Sequence, residues 1–375
     1  MAVTEREMTR AQEGDFLQLK GIDYVEFYVG NARQAAHYYR TAYGFTPLAY
    51  AGLETGVRDR CSFVLEQRTI RLVLTSALSP DSPIAEHVKL HGDGVKDIAL
   101  LVDDARAAFE ATVSRGARPV MEPTVLEGKK GQIVKATIAT YGDTVHSFIQ
   151  RGDYTGAFAP QYNRIQNPAP APEVGFASID HIVGNVELGK MDEWVDFYNT
   201  ALGFRQLQQF TDDDISTEYS ALMSKVVQNG TGRIKFPINE PAEGRRKSQI
   251  DEYLEFYRGP GAQHLALTTS DIIKTVRQLK ANGVEFLRTP GAYYEDLGER
   301  IGHIDEDMTV IRDLNILVDR DDEGYLLQIF TKPLQDRPTV FIEVIQRKGA
   351  RGFGNGNFKA LFQAIEREQE LRGNL

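Results

Sequence analysis

Four segments of this chain follow one pattern, and the repetition limits the folds open to it. They are Gly21-Ile-Asp-Tyr-Val-Glu-Phe-Tyr-Val, Val95-Lys-Asp-Ile-Ala-Leu-Leu-Val, Ser178-Ile-Asp-His-Ile-Val-Gly-Asn-Val and Ala262-Gln-His-Leu-Ala-Leu-Thr-Thr. Each reads as a buried strand that leads into a helix. One column through them holds Tyr24, Asp97, His181 and His264. The punctuation repeats too. Asn31 is placed to cap a helix ending at Tyr43, with Gly44 as its stop and Phe45 beyond. Met191, Trp194, Val195, Tyr198 and Leu202 fall on one helical face, followed by Gly203 and Phe204. Two further helices are expected at Asp103–Gly116 and Ser270–Gly283. Hairpins are expected at Cys61–Leu65 with Thr69–Leu74, and at Tyr219–Val227 with Arg233–Ile238 around Asn229-Gly230.

These units imply an α+β fold: two domains of paired βαβββ modules, each an open, curved, barrel-like antiparallel sheet with outer helices around a cavity. Pro168, Pro170 and Pro172 mark an extended linker. The expected division is residues 16–160, a linker at 161–177 and residues 178–375. A terminal helix at about 357–372 carries Phe358, Leu361, Phe362 and Ile365 at helical spacing and has no counterpart in the first half. It either covers the cavity mouth or packs on the outer surface.

Composition removes several function classes. A net charge of −10 argues against a nucleic-acid binder, which needs a basic stripe. No run of 18 apolar residues suggests a membrane span. The stretch Met1 to Asp15 lacks the apolar segment of a signal peptide. Cys61 is the only cysteine, so no intrachain disulfide or thiolate-rich metal site can form, as suits a cytoplasmic protein.

The histidines point to a metal. Seven occur, and His181 and His264 share a repeat column. Aligning Thr144-Val-His-Ser-Phe-Ile-Gln-Arg with Thr339-Val-Phe-Ile-Glu-Val-Ile-Gln-Arg sets Ser147 opposite Glu343. Glu343 interrupts an apolar strand, where a carboxylate is costly unless paired or metal-bound. The columns read Tyr24, Asp97, Ser147 in one half and His181, His264, Glu343 in the other. Two histidines and one carboxylate suit non-haem Fe(II) oxygen chemistry, although Zn(II) accepts the same set. The first half then reads as a metal-free copy, a cover or an oligomer interface. His37, His87, His91, His146 and His303 have no repeat partner and are read as non-ligands.

Longer motifs carry a family resemblance. They include Ile179-Asp-His-Ile-Val-Gly-Asn-Val, Tyr219-Ser-Ala-Leu-Met-Ser-Lys-Val-Val, Lys235-Phe-Pro-Ile-Asn-Glu-Pro and Lys247-Ser-Gln-Ile-Asp-Glu-Tyr. Gly261-Ala-Gln-His, Gly324-Tyr-Leu-Leu-Gln-Ile-Phe-Thr-Lys, Gln335-Asp-Arg-Pro-Thr and Gly352-Phe-Gly-Asn-Gly-Asn-Phe-Lys-Ala-Leu-Phe, with the closing Arg372-Gly-Asn-Leu, add to them. The chain resembles the 4-hydroxyphenylpyruvate dioxygenases of the vicinal-oxygen-chelate (glyoxalase-like) superfamily, densely in its second half and more loosely in its first. The resemblance implies one Fe(II) per chain on His181, His264 and Glu343. It implies a substrate pocket of Ser224, Asn239, Gln249, Gln263 and Gln328, with aromatic walls from Phe330, Phe341, Phe353 and Phe358 and with Asn357 beside them. Gly352, Gly354 and Gly356 are expected to act as a hinge before a terminal lid.

The implied reaction takes an α-keto acid, 4-hydroxyphenylpyruvate, and O2 to homogentisate and CO2 in tyrosine and phenylalanine catabolism, on a homo-oligomer (dimer or tetramer). Other readings of the same residues stay open. A 4-hydroxymandelate synthase would use the same ligands and substrate but oxidise the benzylic carbon. A ring-cleaving dioxygenase, a Zn-type isomerase or a non-catalytic small-molecule binder could share the scaffold.

Overall fold

The computed structural model describes residues 15–210, 221–242, 247–295 and 297–374. The first half runs β1 (Gly21–Tyr28), α1 (Ala32–Tyr43), β2 (Thr46–Ala51), β3 (Arg60–Gln67), β4 (Ile70–Ala77), α2 (Pro83–His91), β5 (Gly94–Leu101), α3 (Ala105–Val113), β6 (Pro119–Gly128), β7 (Gly131–Ala139) and β8 (Val145–Gln150). After β9 (Asn163–Arg164), the second half runs β10 (Phe176–Asn185), α4 (Met191–Leu202), β11 (Arg205–Phe210), β12 (Ala221–Gln228), β13 (Lys235–Ala242), α5 (Gln249–Tyr257), β14 (Gly261–Thr269) and α6 (Ile272–Ala281). Two short helices, α7 (Leu297–Ile301) and α8 (Met308–Leu314), precede β15 (Leu317–Asp321), β16 (Gly324–Phe330), β17 (Phe341–Lys348) and α9 (Asn355–Leu371).

The repeat sets the sheet order. One sheet runs β6-β7-β8-β5-β1-β4-β3-β2-β9, the other β11-β12-β13-β10-β14-β17-β16-β15. At each centre two module-opening strands lie antiparallel, β1 with β5 and β10 with β14. Each also pairs in parallel with the closing strand of a module: β4 and β8 in one sheet, β13 and β17 in the other. The sheets are therefore mixed rather than wholly antiparallel. A helix crossover between opening strand and hairpin brings the last strand back beside the first in the same direction. The expected stops hold: Gly44 (φ 74°) and Gly203 (φ 70°) end α1 and α4 in the left-handed region, and Phe45 and Phe204 beyond them are buried. Residues 219 and 220 of the expected second hairpin lie outside the described residues.

One apolar core runs through both halves, from Val25 and Phe27 to Leu265 and Val344. The segment after the first sheet is pinned down. β9 pairs with β2, and Arg40 donates to the Pro170 carbonyl at 2.8 Å. His146 on β8 sits at the seam between halves. Its Nδ1 donates to the Ile98 carbonyl (2.9 Å), and its Nε2 faces the Tyr198 hydroxyl (2.8 Å). Burial holds this ring below the ordinary histidine value, so it is neutral in the folded chain. In the unfolded chain it takes up a proton as pH falls through about 6.5. Folded stability should therefore decline below that pH, by up to about 1.4 kcal/mol per pH unit from this ring. Urea midpoints between pH 7.5 and 5.5 check this; a His146→Gln chain with an unchanged slope would exclude His146 as the source.

Candidate metal centre

His181, His264 and Glu343 converge because strand register puts them on one face. His181 pairs with Ala266 across β10–β14, and Ala266 pairs with Glu343 across β14–β17. His264 precedes Ala266 by two residues, so it points the same way. The small Ala266 leaves room for side chains on three sides to lean over it. Glu343 Oε2 lies 3.2 Å from His181 Nε2 and 3.2 Å from His264 Nε2. All three residues are buried, and their ligand atoms form one of two groups among the described residues that could hold an ion.

The surroundings fix each ligand. His181 Nδ1 donates to Asp180 Oδ1 at 2.8 Å, and Arg347 grips Asp180 through Nε and Nη2, both at 2.8 Å. His264 Nδ1 lies 2.9 Å from Gln263 Oε1. Both Nε2 atoms are thereby turned toward Glu343, an arrangement typical of metal-ligating histidines. Gln328 donates to Glu343 Oε1 (2.9 Å), Asn357 donates to Gln328 Oε1 (2.8 Å), and Tyr293 donates to Asn357 Oδ1 (2.6 Å). Charge follows this geometry. Burial disfavours ionised Glu343, but the two imidazoles outweigh it and draw its pKa down to about 2. Burial also disfavours charged His181, yet Glu343 and Asp180 raise it above the ordinary value. His264 is lowered, because burial there exceeds the help of the shared carboxylate. An anionic carboxylate between two imidazoles is the donor set a divalent ion needs.

The cavity above the triad holds about 520 Å³ that no protein atom fills. Its lining includes Ser224, Asn239, Gln249, Gln263, Gln328, Phe330 and Phe353. Phe353 sets its ring edge against His181 (centroids 5.0 Å), and Phe330 does the same against His264 (6.0 Å). Phe341 stacks on His264 at 4.8 Å and lines a neighbouring cavity beneath α9, which shares Gln249 and Gln263 with the first. Asn357 stands behind Gln328, where it orients that amide. The Phe358 side chain lies outside the described residues. Sequence reasoning missed Asp180, Arg347, Tyr293 and the apolar lining of Phe210, Leu222 and Leu361. Asp180 and Arg347 had a visible signal, because the first half keeps both columns: Arg151 grips Asp23 at 2.8 and 2.5 Å. The glycine run also reads differently. Gly354 is left-handed (φ 79°), and a Cβ there would meet Gln328 Oε1 at 2.2 Å, so close approach explains this glycine.

The first half closes the same arrangement with its own cation. Tyr24 pairs with Ala99 as His181 does with Ala266. Tyr24 and Ser147 both donate to Asp97 Oδ2, at 3.2 and 2.6 Å. Lys135 Nζ reaches Tyr24 Oη (2.8 Å) and Asp97 Oδ2 (3.1 Å). Lys135 faces Ile149 across β7–β8, as Gln328 faces Ile345 across β16–β17, so the two occupy equivalent positions. A tethered ammonium thus stands where the second half has a neutral amide and a site for an ion.

Comparisons with known proteins agree with this architecture. Residues 15–159 match a family model described as hydroxyphenylpyruvate dioxygenase, N-terminal, and residues 178–329 match one for the glyoxalase/bleomycin resistance protein/dioxygenase superfamily. A 4-hydroxyphenylpyruvate dioxygenase of Yarrowia lipolytica is 49% identical over 95% of this chain and 94% of its own length. One from Danio rerio is 47% identical over 98% of this chain and 94% of its own length. Among solved structures, a triple mutant of 4-hydroxymandelate synthase from Streptomyces coelicolor superposes with a TM-score of 0.84 at 38% identity, covering 93% of this chain and 98% of its own. A repeated scaffold, a buried two-histidine, one-glutamate cluster and near full-length similarity to such relatives together mean that the chain belongs to the 4-hydroxyphenylpyruvate dioxygenase family.

Proposed function

We propose that this chain converts 4-hydroxyphenylpyruvate and O2 to homogentisate and CO2, using one Fe(II) held by His181, His264 and Glu343. The observation that carries the reading is Glu343 Oε2 at 3.2 Å from both imidazole Nε2 atoms, at the floor of a largely apolar cavity. A ferrous ion there would supply electrons to O2 and open positions for the two oxygens of a keto acid. Every other task falls to the chain. Asp180 and Gln263 hold the imidazoles in the tautomer that offers Nε2. Gln328, held by Asn357 and Tyr293, keeps one carboxylate oxygen of Glu343 occupied and the other turned to the histidines.

The cavity's only ionisable lining residues, among those described, are the three ligands. A substrate that is anionic at one end and a phenol at the other fits such a wall. The anionic end would lie toward the ion's site, and the hydroxyl and amide groups of Ser224, Asn239 and Gln249 receive the polar remainder without added charge. Phe330, Phe353, Phe210 and Leu361 grip the ring and exclude water. We propose further that residues 16–160 act as the metal-free partner, joined through 161–177 to the catalytic 178–375, that residues 357–372 roof the cavity, and that the enzyme is a cytoplasmic dimer or tetramer. No helix among the described residues is long and apolar enough to cross a membrane.

The test is oxygen uptake by iron-loaded protein with 4-hydroxyphenylpyruvate, with the product identified. Homogentisate and CO2 are expected. Hydroxymandelate as the product would transfer the chain to the sister reaction; no uptake with iron bound would overturn the reading.

A further inference from the structure

The second group that could hold an ion among the described residues lies far from the first in sequence, at the seam between the halves. It consists of His87 and His91 on α2 and Asp143 in the turn between β7 and β8. Neither histidine has a partner in the sequence repeat. The fold brings them together. They stand four residues apart on one helix, hence on one face, a spacing that lets two imidazoles share an ion.

His91 is already posed. Its Nδ1 donates to the carbonyl of Tyr257 at the end of α5, in the other half, and its ring stacks on Tyr257 at 4.3 Å. A carbonyl can only accept, so the proton sits on Nδ1 and Nε2 of the neutral ring presents a lone pair. That lone pair faces Asp143 Oδ2 at 3.0 Å. Two electron pairs at this distance need a proton or a cation between them. His87 supplies the independent observation. It is 5% exposed, and neither ring nitrogen has any hydrogen-bond partner. Its ligand atom lies within 4.8 Å of those of His91 and Asp143, and the rings are 4.6 Å apart. With neither nitrogen bonded, the neutral ring has a lone pair to offer. Lys96 is spent on the Asp143 backbone carbonyl rather than on its carboxylate. His87 and Asp143 both line a surface groove, which gives an ion a way in.

We propose that His87, His91 and Asp143 form a second metal site, for a borderline divalent ion of the Zn(II) class, that ties α2 to the turn between β7 and β8. Two imidazoles and one carboxylate with a remaining position for water suit that ion. The Nδ1–carbonyl bond of His91 is the outer-shell contact such a ligand carries.

The test is zinc content of the full chain after Zn(II) titration and desalting. The intact protein is expected to keep two Zn(II) per chain, and a His264→Ala/Glu343→Ala chain one. Adding His87→Asn to that double variant should remove the last. Asp143→Asn, whose side chain is largely solvent-exposed and so tolerates substitution without unfolding, should weaken this second site at least ~100-fold, the upper end of losing even an outer-shell partner. Co(II) in place of Zn(II) should give absorption bands in the double variant that vanish with His87→Asn. A single Zn(II) in the intact chain, lost with Glu343, overturns the proposal. So does a second Zn(II) unaffected by either His87→Asn or Asp143→Asn.

Discussion

Glu343→Ala should abolish stable iron retention and lower turnover by at least ~1,000-fold, about 4 kcal/mol of lost transition-state stabilisation. Among the described residues, the carboxylate is the only anion between His181 and His264, at 3.2 Å from each. Without it the cavity floor offers two neutral imidazoles, and Gln328 loses its acceptor. The fold should survive, because the neighbours of Glu343 on its strand, Ile342 and Val344, stay packed in the core. Iron content, oxygen uptake and far-ultraviolet circular dichroism read the three parts separately. Undiminished turnover with normal iron would remove Glu343 from the ligand set.

Removing the chain from Asn357 onward should cut turnover by ~100-fold or more and loosen iron binding. Three losses combine. Leu361 leaves the cavity wall, Phe362 leaves its cluster with Phe353 and Ile250, and Arg372 and Asn374 release the buried Glu252. Stripping the partner from a buried carboxylate is itself strongly destabilising, about 3–5 kcal/mol. Asn357→Ala separates roofing from positioning. It keeps the helix but frees Gln328, so a ~10-fold loss of iron affinity with the fold intact is the expected result. A truncated chain as active as the whole would reduce α9 to outer packing.

The grouping of His181, His264 and Glu343 was legible because it follows from strand columns. A period of two fixes which side chains share a face, and the duplication fixes which strands are neighbours, so His181, His264 and Glu343 could be aligned before any coordinates. Tyr24, Asp97 and Ser147 were placed by the same logic, and they do meet. Residues that act from across a sheet, or from an element without a copy, were hidden. Lys135 looks like any charged strand residue until β7 lies beside β8. Phe210 and Leu222 are indistinguishable from core until the cavity shows which of their faces is bare. The glycines near residue 354 suggested bending, whereas Gly354 answers to a side chain, Gln328, from another strand. The column criterion that pairs His181 with His264 gives His87 and His91 no partner, because a cluster at the seam between copies has no reason to be duplicated.

The exchange of Lys135 for Gln328 has a consequence for how the chain matures. The half containing Asp97 arrives with its counter-charge built into the polypeptide, and burial, though it opposes the charged amine, is overridden by Tyr24 and Asp97, which keep it protonated. The cluster around Asp97 is therefore neutralised by the polypeptide alone. The half containing Glu343 must borrow its counter-charge from solution. Scarcity of that ion therefore reaches the Glu343 cluster and leaves the Asp97 cluster as it is.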